Sequence, residues 1–112
     1  MERALTTSWL AVRTGIEPMR LHALRRSGRL LAYRAAGSDD YLFPAWQFDE
    51  SWRPLPVIRR LTTAAREAGI GEERLLELLR SRVGIGGSER LVDLLRAGED
   101  ERLVAAVRGA RA

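Results

Sequence analysis

The chain has 112 residues and a net charge of +4, with no cysteine and a single histidine, His22. This composition excludes disulfide scaffolds, cysteine zinc sites and multi-histidine metal centres, so we expect no metal and no cofactor. No apolar run reaches the roughly 18–20 residues of a membrane-spanning helix, and no signal-peptide core follows the first residues. We therefore expect a cytoplasmic protein without a membrane partner, built as one ordinary domain or two very small ones.

The positive charge is concentrated near the N-terminal end. All 19 basic residues are arginine, whose guanidinium group suits bidentate pairing with phosphate, guanine or carboxylate. Residues 1–48 carry seven arginines against four acidic residues, whereas residues 49–112 carry twelve against eleven. Residues 13–34 hold six arginines and one acidic residue, Glu17, which is a net charge of +5. This local excess favours an anionic partner such as nucleic acid.

The first segment predicts two short helices. Thr6 or Thr7 can cap a helix that runs through Arg13 and stops at Gly15. Pro18 suits the first turn of a second helix over residues 19–26, because its missing N–H would be unpaired there anyway. Apolar residues are expected to pack between the two helices. They are Ile16, Leu21 and Leu24 on the side of the second helix and Trp9, Leu10 and Val12 on the first helix.

A β-hairpin and a junction are expected next. Residues 30–34 and 41–43 are β-prone runs, and the Gly-Ser-Asp-Asp sequence at 37–40 is typical of a turn between strands. Residues 44–56 contain two of the three tryptophans and three of the four prolines. Because large aromatic side chains normally pack against something, we expect a packed junction and not a floppy linker.

The remainder of the chain predicts four helices, over residues 57–68, 72–83, 88–95 and 99 to about 110. The expected fold is therefore mainly α, with an N-terminal winged helix-turn-helix that includes a short β-hairpin, followed by a small C-terminal helical bundle. The expected boundaries are 1–48 for the winged unit, 49–56 for the Pro/Trp junction and 57–112 for the helical domain. Broad leucine-rich faces on the C-terminal helices favour a homodimer or higher oligomer.

The helix-turn-helix pattern points to double-stranded DNA, because the second helix of such a unit enters the major groove. On a helix that starts near residue 17, the candidates for contacts to base edges are Arg20, His22 and Arg26. Arg25, Arg29 and Arg34 are better placed for the flanking phosphates, with Arg34 on the wing. The alternative interpretation is an ordinary solvated basic helix.

Several stretches resemble known families. The sequences TTSWLA at 6–11, TGI at 14–16 and LHALRRSGRL at 21–30 resemble the MerR/excisionase-like winged helix. The sequence YLFPAWQFD at 41–49 is similar to the junction in antitoxins of the MbcA/ParS/Xre class, and LLRAGEDERLVAA at 94–106 is similar to the end of their toxin-binding domain. The chain departs from that class twice, because it lacks the Trp near the end of the second C-terminal helix and the Pro at the start of the next.

The resemblance implies a DNA-binding antitoxin that represses its own operon and neutralises a RES-like toxin, an enzyme that acts on NAD. Its C-terminal helices would bind the toxin, with Leu95, Arg96, Arg108 and Arg111 as candidate contacts. The alternative is a stand-alone winged-helix transcriptional regulator whose helical half only dimerises. A protein-interaction module without DNA fits the balanced C-terminal half but not the clustered arginines. We expect no enzyme, because no nucleophile, base and oxyanion site come together in the sequence.

Overall fold

A computed structural model describes residues 3–83, 89–90, 92–96 and 98–110. The chain divides into two compact units, Met1–Arg59 and Arg60–Ala112. The protein is mainly helical, and its larger sheet has three antiparallel strands. None of the helices in the described part is long and apolar enough to cross a membrane.

The first unit consists of two helices and a small sheet. In chain order its elements are β1 (Ala4–Thr6), α1 (Thr7–Thr14), α2 (Pro18–Arg26), β2 (Tyr33–Arg34), β3 (Tyr41–Pro44) and one turn of 3-10 helix (Ala45–Gln47). Its core contains the buried side chains of Leu5, Leu10, Leu21, Leu30, Ala32 and Phe43. A single apolar cluster therefore joins both helices to the sheet.

The two helices have the local signals expected of them. The Thr6 side chain accepts a hydrogen bond from the Trp9 N–H at 3.1 Å and so caps α1. Gly15 ends α1 in the left-handed conformation, with φ of 75°, which favours glycine. Pro18 begins α2, as predicted from its missing N–H. These capping residues confirm both predicted helices.

The predicted hairpin is present and has a third strand beside it. β2 and β3 pair antiparallel, with Tyr33 opposite Leu42. β1 pairs antiparallel with the other edge of β3 and places Leu5 opposite Phe43, so β3 is the central strand. β1 was not predicted from the sequence, and its buried Leu5 contributes to the core.

The predicted packing of Val12 between the two helices is wrong. Leu10 is fully buried, but Val12 is 87% exposed and Trp9 is 37% exposed. A helix turns by about 100° per residue, so Val12 lies about 200° from Leu10 and faces away from the core. Trp9 instead makes an edge-on contact with Trp52, their ring centroids 4.9 Å apart.

The segment after β3 packs within the first unit. Gln47 is fully buried, and its side chain accepts a hydrogen bond from the Leu31 N–H and donates one to the Leu31 carbonyl, both at 2.7 Å. It donates another to the Pro44 carbonyl at 3.1 Å. Phe48 and Trp52 pack against the same core. Gln47 thus ties the chain that enters the hairpin to the turn that leaves it.

The second unit contains most of α3 (Val57–Glu67), followed by α4 (Glu72–Arg80), β4 (Arg82–Val83), β5 (Glu89–Arg90), α5 (Asp93–Arg96) and α6 (Asp100–Gly109). Its buried side chains include Leu75, Leu76 and Leu79 of α4 and Leu103, Val104 and Val107 of α6. The leucine-rich face of α4 is therefore largely buried in the chain.

Two of the four helices predicted for this half are shorter than expected. The helix predicted over 72–83 ends at Arg80, and β4 pairs antiparallel with β5 in its place. The helix predicted over 88–95 is reduced to α5, since Glu89 and Arg90 form β5 and pair with β4. β-branched Val83 fits an extended strand better than a helix end. The unit is thus not the all-helical bundle that was predicted. Residues 84–88, which include the start of the helix predicted over 88–95, lie outside the described residues.

Candidate nucleic-acid interface

The orientation of α2 is set by one buried leucine. Leu21 is fully buried in the core of the first unit, so the opposite side of α2 faces outward. The exposed residues on this side are Met19, Arg20, Ala23 and Arg26. Within the described part of the chain, Arg20 and Arg26 form no salt bridge. Two guanidinium groups are therefore available to an anionic partner.

Tyr41 of β3 connects α2 to the hairpin. The Arg25 guanidinium carbon lies 4.2 Å from the centre of the Tyr41 ring, and that of Arg34 lies 5.6 Å from the same point. The imidazole of His22 meets this ring edge-on, with centroids 5.7 Å apart. The two arginines therefore converge on one aromatic ring from different elements, α2 and β2.

Arg34 is held on the exposed surface of the hairpin. Its guanidinium lies 3.8 Å from the Asp39 carboxylate. A hydrogen bond to the Tyr41 hydroxyl and the nearby Tyr41 and Asp39 oxygens raise the pKa of Arg34 above its ordinary value. Arg34 thus carries a permanent positive charge, in a position limited by its contacts with Tyr41 and Asp39.

Arg25 and His22 are less accessible than the sequence suggested. Both side chains are half-buried, and the buried Nε atom of Arg25 finds no hydrogen-bond partner among the described residues. The cation–π contact with Tyr41 compensates part of this cost. His22 also lies beside Phe43, with ring centroids 6.5 Å apart. Both residues contact the hairpin from α2, whereas Arg20 and Arg26 face solvent.

Arg29 lies just beyond α2, at the edge of an open groove. Gly28 precedes it with φ of 80°, a left-handed conformation that reverses the chain after the helix. The groove has a volume of about 390 Å³ and is lined by Leu24, Arg29, Pro54, Leu55, Pro56 and Arg59. Arg29 is exposed, and the structure records no ion pair for it among the described residues.

A cluster of two tryptophans and two arginines on the first unit was not foreseen. The guanidinium of Arg3 lies 5.4 Å from the Trp9 ring centre and 6.0 Å from that of Trp52, and Arg13 lies 5.9 Å from Trp52. Trp52 has φ of 60°, a strained conformation for a residue with a side chain. The Asp49 carboxylate holds the loop by accepting hydrogen bonds from the N–H groups of Ser51 and Arg53. No local sequence pattern signals this arrangement.

The four candidate toxin contacts lie in the second unit. Leu95 is half-buried in α5, and Arg108 is exposed in the last turn of α6. Arg96 ends α5, and its side chain lies outside the described residues, as does the whole of Arg111. Only Arg108 is therefore placed as an accessible cation.

The first unit presents a basic surface formed by arginines of α2 and the hairpin. Within the described residues, no group of three or more His, Cys, Asp or Glu side chains could hold a metal ion. The accessible groups are guanidinium donors on α2 and on the neighbouring hairpin. Such donors suit phosphate oxygens and guanine edges. The sequence pattern indicated these arginines but not the role of Tyr41, whose ring contacts both Arg25 and Arg34.

The fold has a counterpart among solved structures. It resembles the NMR structure of Rv2175c, with a TM-score of 0.80 and 21% sequence identity over 96% of this chain and 80% of that chain. At this identity the likeness shows a shared fold only. No protein-family model matches the chain, and no curated protein matches it.

Proposed function

We propose that this protein binds double-stranded DNA through a winged helix-turn-helix formed by α1, α2 and the β2–β3 hairpin. The observation that carries the proposal is the pair of exposed arginines on α2, Arg20 and Arg26, next to a hairpin that holds Arg34. A helix of this kind fits the major groove, and its arginines can donate bidentate hydrogen bonds to guanine.

The supporting contacts divide into two kinds. Arg20 and Arg26 are exposed and suited to base edges, whereas Arg25, Arg29 and Arg34 are suited to phosphates on either side. Tyr41 helps to keep Arg25 and Arg34 at a defined separation, because both guanidiniums lie on its ring. Such a fixed spacing favours binding to a regular duplex over binding to an irregular polyanion.

The test is selection of a preferred duplex from a random library with the full-length protein, followed by affinity measurements on that duplex and a scrambled one. We expect Arg20→Ala or Arg26→Ala to lose about 1–3 kcal/mol on the selected duplex and less on the scrambled duplex. The control is Arg66→Ala, which removes an exposed arginine of α3. Equal losses on both duplexes would contradict base recognition by these two residues.

Antitoxin activity is a second function that the resemblance to MbcA/ParS/Xre-type antitoxins supports. On this proposal the protein represses its own operon and the second unit binds a RES-like toxin, with exposed Arg108 as the most accessible candidate contact. Expression of the adjacent open reading frame with and without this protein tests it. Growth arrest that co-expression relieves supports the antitoxin role. A harmless neighbour leaves a stand-alone regulator.

Self-association is part of the proposal, because paired half-sites compensate for the weak binding of one small unit. Leu75, Leu76 and Leu79 are already buried in the single chain, so a dimer would have to use other surfaces. Sedimentation over a wide range of protein concentration measures the association directly. A monomer at every concentration would contradict it.

A further inference from the structure

The surface of the first unit exposes three large apolar side chains, among the described residues: Trp9, Val12 and Met19. Trp9 is partly covered by Trp52 and Arg3. Met19 is 81% exposed in the first turn of α2, so packing inside the protein uses little of its surface. An apolar side chain this exposed, on the helix that carries the exposed arginines, has no role in stabilising the fold.

Met19 lies at the centre of the exposed side of α2. Residues four and seven positions apart fall on one line along a helix, so Met19, Ala23 and Arg26 form a stripe. Leu21 lies on the opposite side, fully buried. The small side chain of Ala23, also exposed, leaves room beside Met19 for a flat surface to approach the helix closely. Any duplex seated against Arg20 and Arg26 would therefore touch Met19.

The major groove presents one apolar group to such a side chain. Of the four bases, thymine alone presents a methyl group there, at C5, beside the hydrogen-bonding groups of the base edges. Methionine is flexible and polarisable, so it adapts to a methyl group without a fixed geometry. It has no strong hydrogen-bonding group with which to read any other base edge.

We infer that Met19 reads the C5 methyl group of a thymine within the DNA site of this protein. The inference rests on the proposed binding of duplex DNA by α2. It adds a specific base to the site. Arg20 follows Met19 directly in α2, so it would contact a neighbouring base pair. The preferred duplex then contains a thymine close to the guanine that an arginine of α2 contacts.

The experiment replaces each thymine of the selected duplex by uracil, one position at a time. Uracil pairs like thymine but lacks the methyl group, so the change removes only the apolar contact. We expect the full-length wild-type protein to lose about three- to tenfold in affinity at one or two positions, the scale for burying one methyl group. Met19→Ala should bind the thymine duplex more weakly and no longer distinguish it from the uracil duplex.

Val12→Ala is the matched control, because Val12 is as exposed as Met19 but lies on α1. It should keep the thymine preference of the wild type. A selected duplex that binds equally well with uracil at every position overturns the inference and leaves DNA binding intact. Met19→Ala with an unchanged preference for thymine overturns it as well. Failure to select any duplex refutes the proposed function itself, and the inference with it.

Discussion

Removal of the Gln47 amide should destabilise the first unit. Its amide makes three hydrogen bonds at 2.7–3.1 Å, two to the backbone of Leu31 and one to that of Pro44. Both Gln47 and Leu31 are fully buried, so water cannot replace the lost partners. The substitution Gln47→Met removes every one of these bonds while keeping a long, unbranched side chain.

The expected loss follows from the number and burial of these bonds. A hydrogen bond contributes about 0.5–1.5 kcal/mol net, and a buried group left without a partner costs about 1–3 kcal/mol. We expect Gln47→Met to lower the free energy of unfolding of the first unit by about 2–4 kcal/mol. For a unit of this size, that corresponds to a fall in Tm of roughly 10–25 °C.

Tryptophan fluorescence reports on this unit alone, because Trp9, Trp46 and Trp52 all lie in Met1–Arg59. Urea unfolding followed by this signal gives the free energy of unfolding for the wild type and for Gln47→Met. The control is Met19→Leu, which changes an exposed side chain and should stay within about 0.5 kcal/mol of the wild type. A loss below about 1 kcal/mol for Gln47→Met would refute the structural role assigned to its amide.

Two further predictions concern the aromatic contacts. Trp52→Gly should be more stable than Trp52→Ala by about 1 kcal/mol in the same urea assay, because glycine adopts the positive φ of this position without strain. A more stable alanine variant would show that the backbone is not strained there. Tyr41→Leu should weaken duplex binding by about three- to tenfold, because it removes the ring on which Arg25 and Arg34 rest. Unchanged affinity in a titration of labelled duplex would show that Tyr41 does not position them.

Elements with local signals were predictable from the sequence. The bounds of α1 and α2 follow from the cap at Thr6, the left-handed Gly15 and the placement of Pro18. The hairpin follows from two β-prone runs with turn residues between them, including Gly37 with φ of 72°. In each case the residues that decide the structure lie within a few positions of one another.

Elements that depend on distant partners were not predictable. β1 has three residues and pairs with a strand almost forty positions away, so its own sequence has no strand signature. The helical pattern of 72–83 continues past Arg80, but pairing with β5 makes residues 82 and 83 extended. Tertiary contacts overrode local propensity at both places.

The candidate site was predicted in part. The arginines of α2 were recognisable by type and spacing, and Arg20 and Arg26 are exposed as expected. The half-buried state of His22 and Arg25 depends on Tyr41, which approaches them from a different element. A sequence pattern describes one element at a time, so contacts between α2 and the hairpin could not be read from it.

The salt dependence of duplex binding is the most direct test of DNA binding by the first unit. Full-length wild type is compared with a variant in which the three candidate phosphate contacts, Arg25, Arg29 and Arg34, are alanine. The control carries alanine at three exposed arginines elsewhere and has the same net charge: Arg53, Arg66 and Arg108.

We expect the logarithm of the wild-type affinity to fall steeply with the logarithm of the salt concentration, because phosphate contacts release counterions. The slope should become shallower by up to about one for each phosphate contact that this variant loses, and the control should keep the slope of the wild type. A flat salt dependence of the wild type, or equal slopes for the two variants, would contradict DNA binding through α2 and the hairpin.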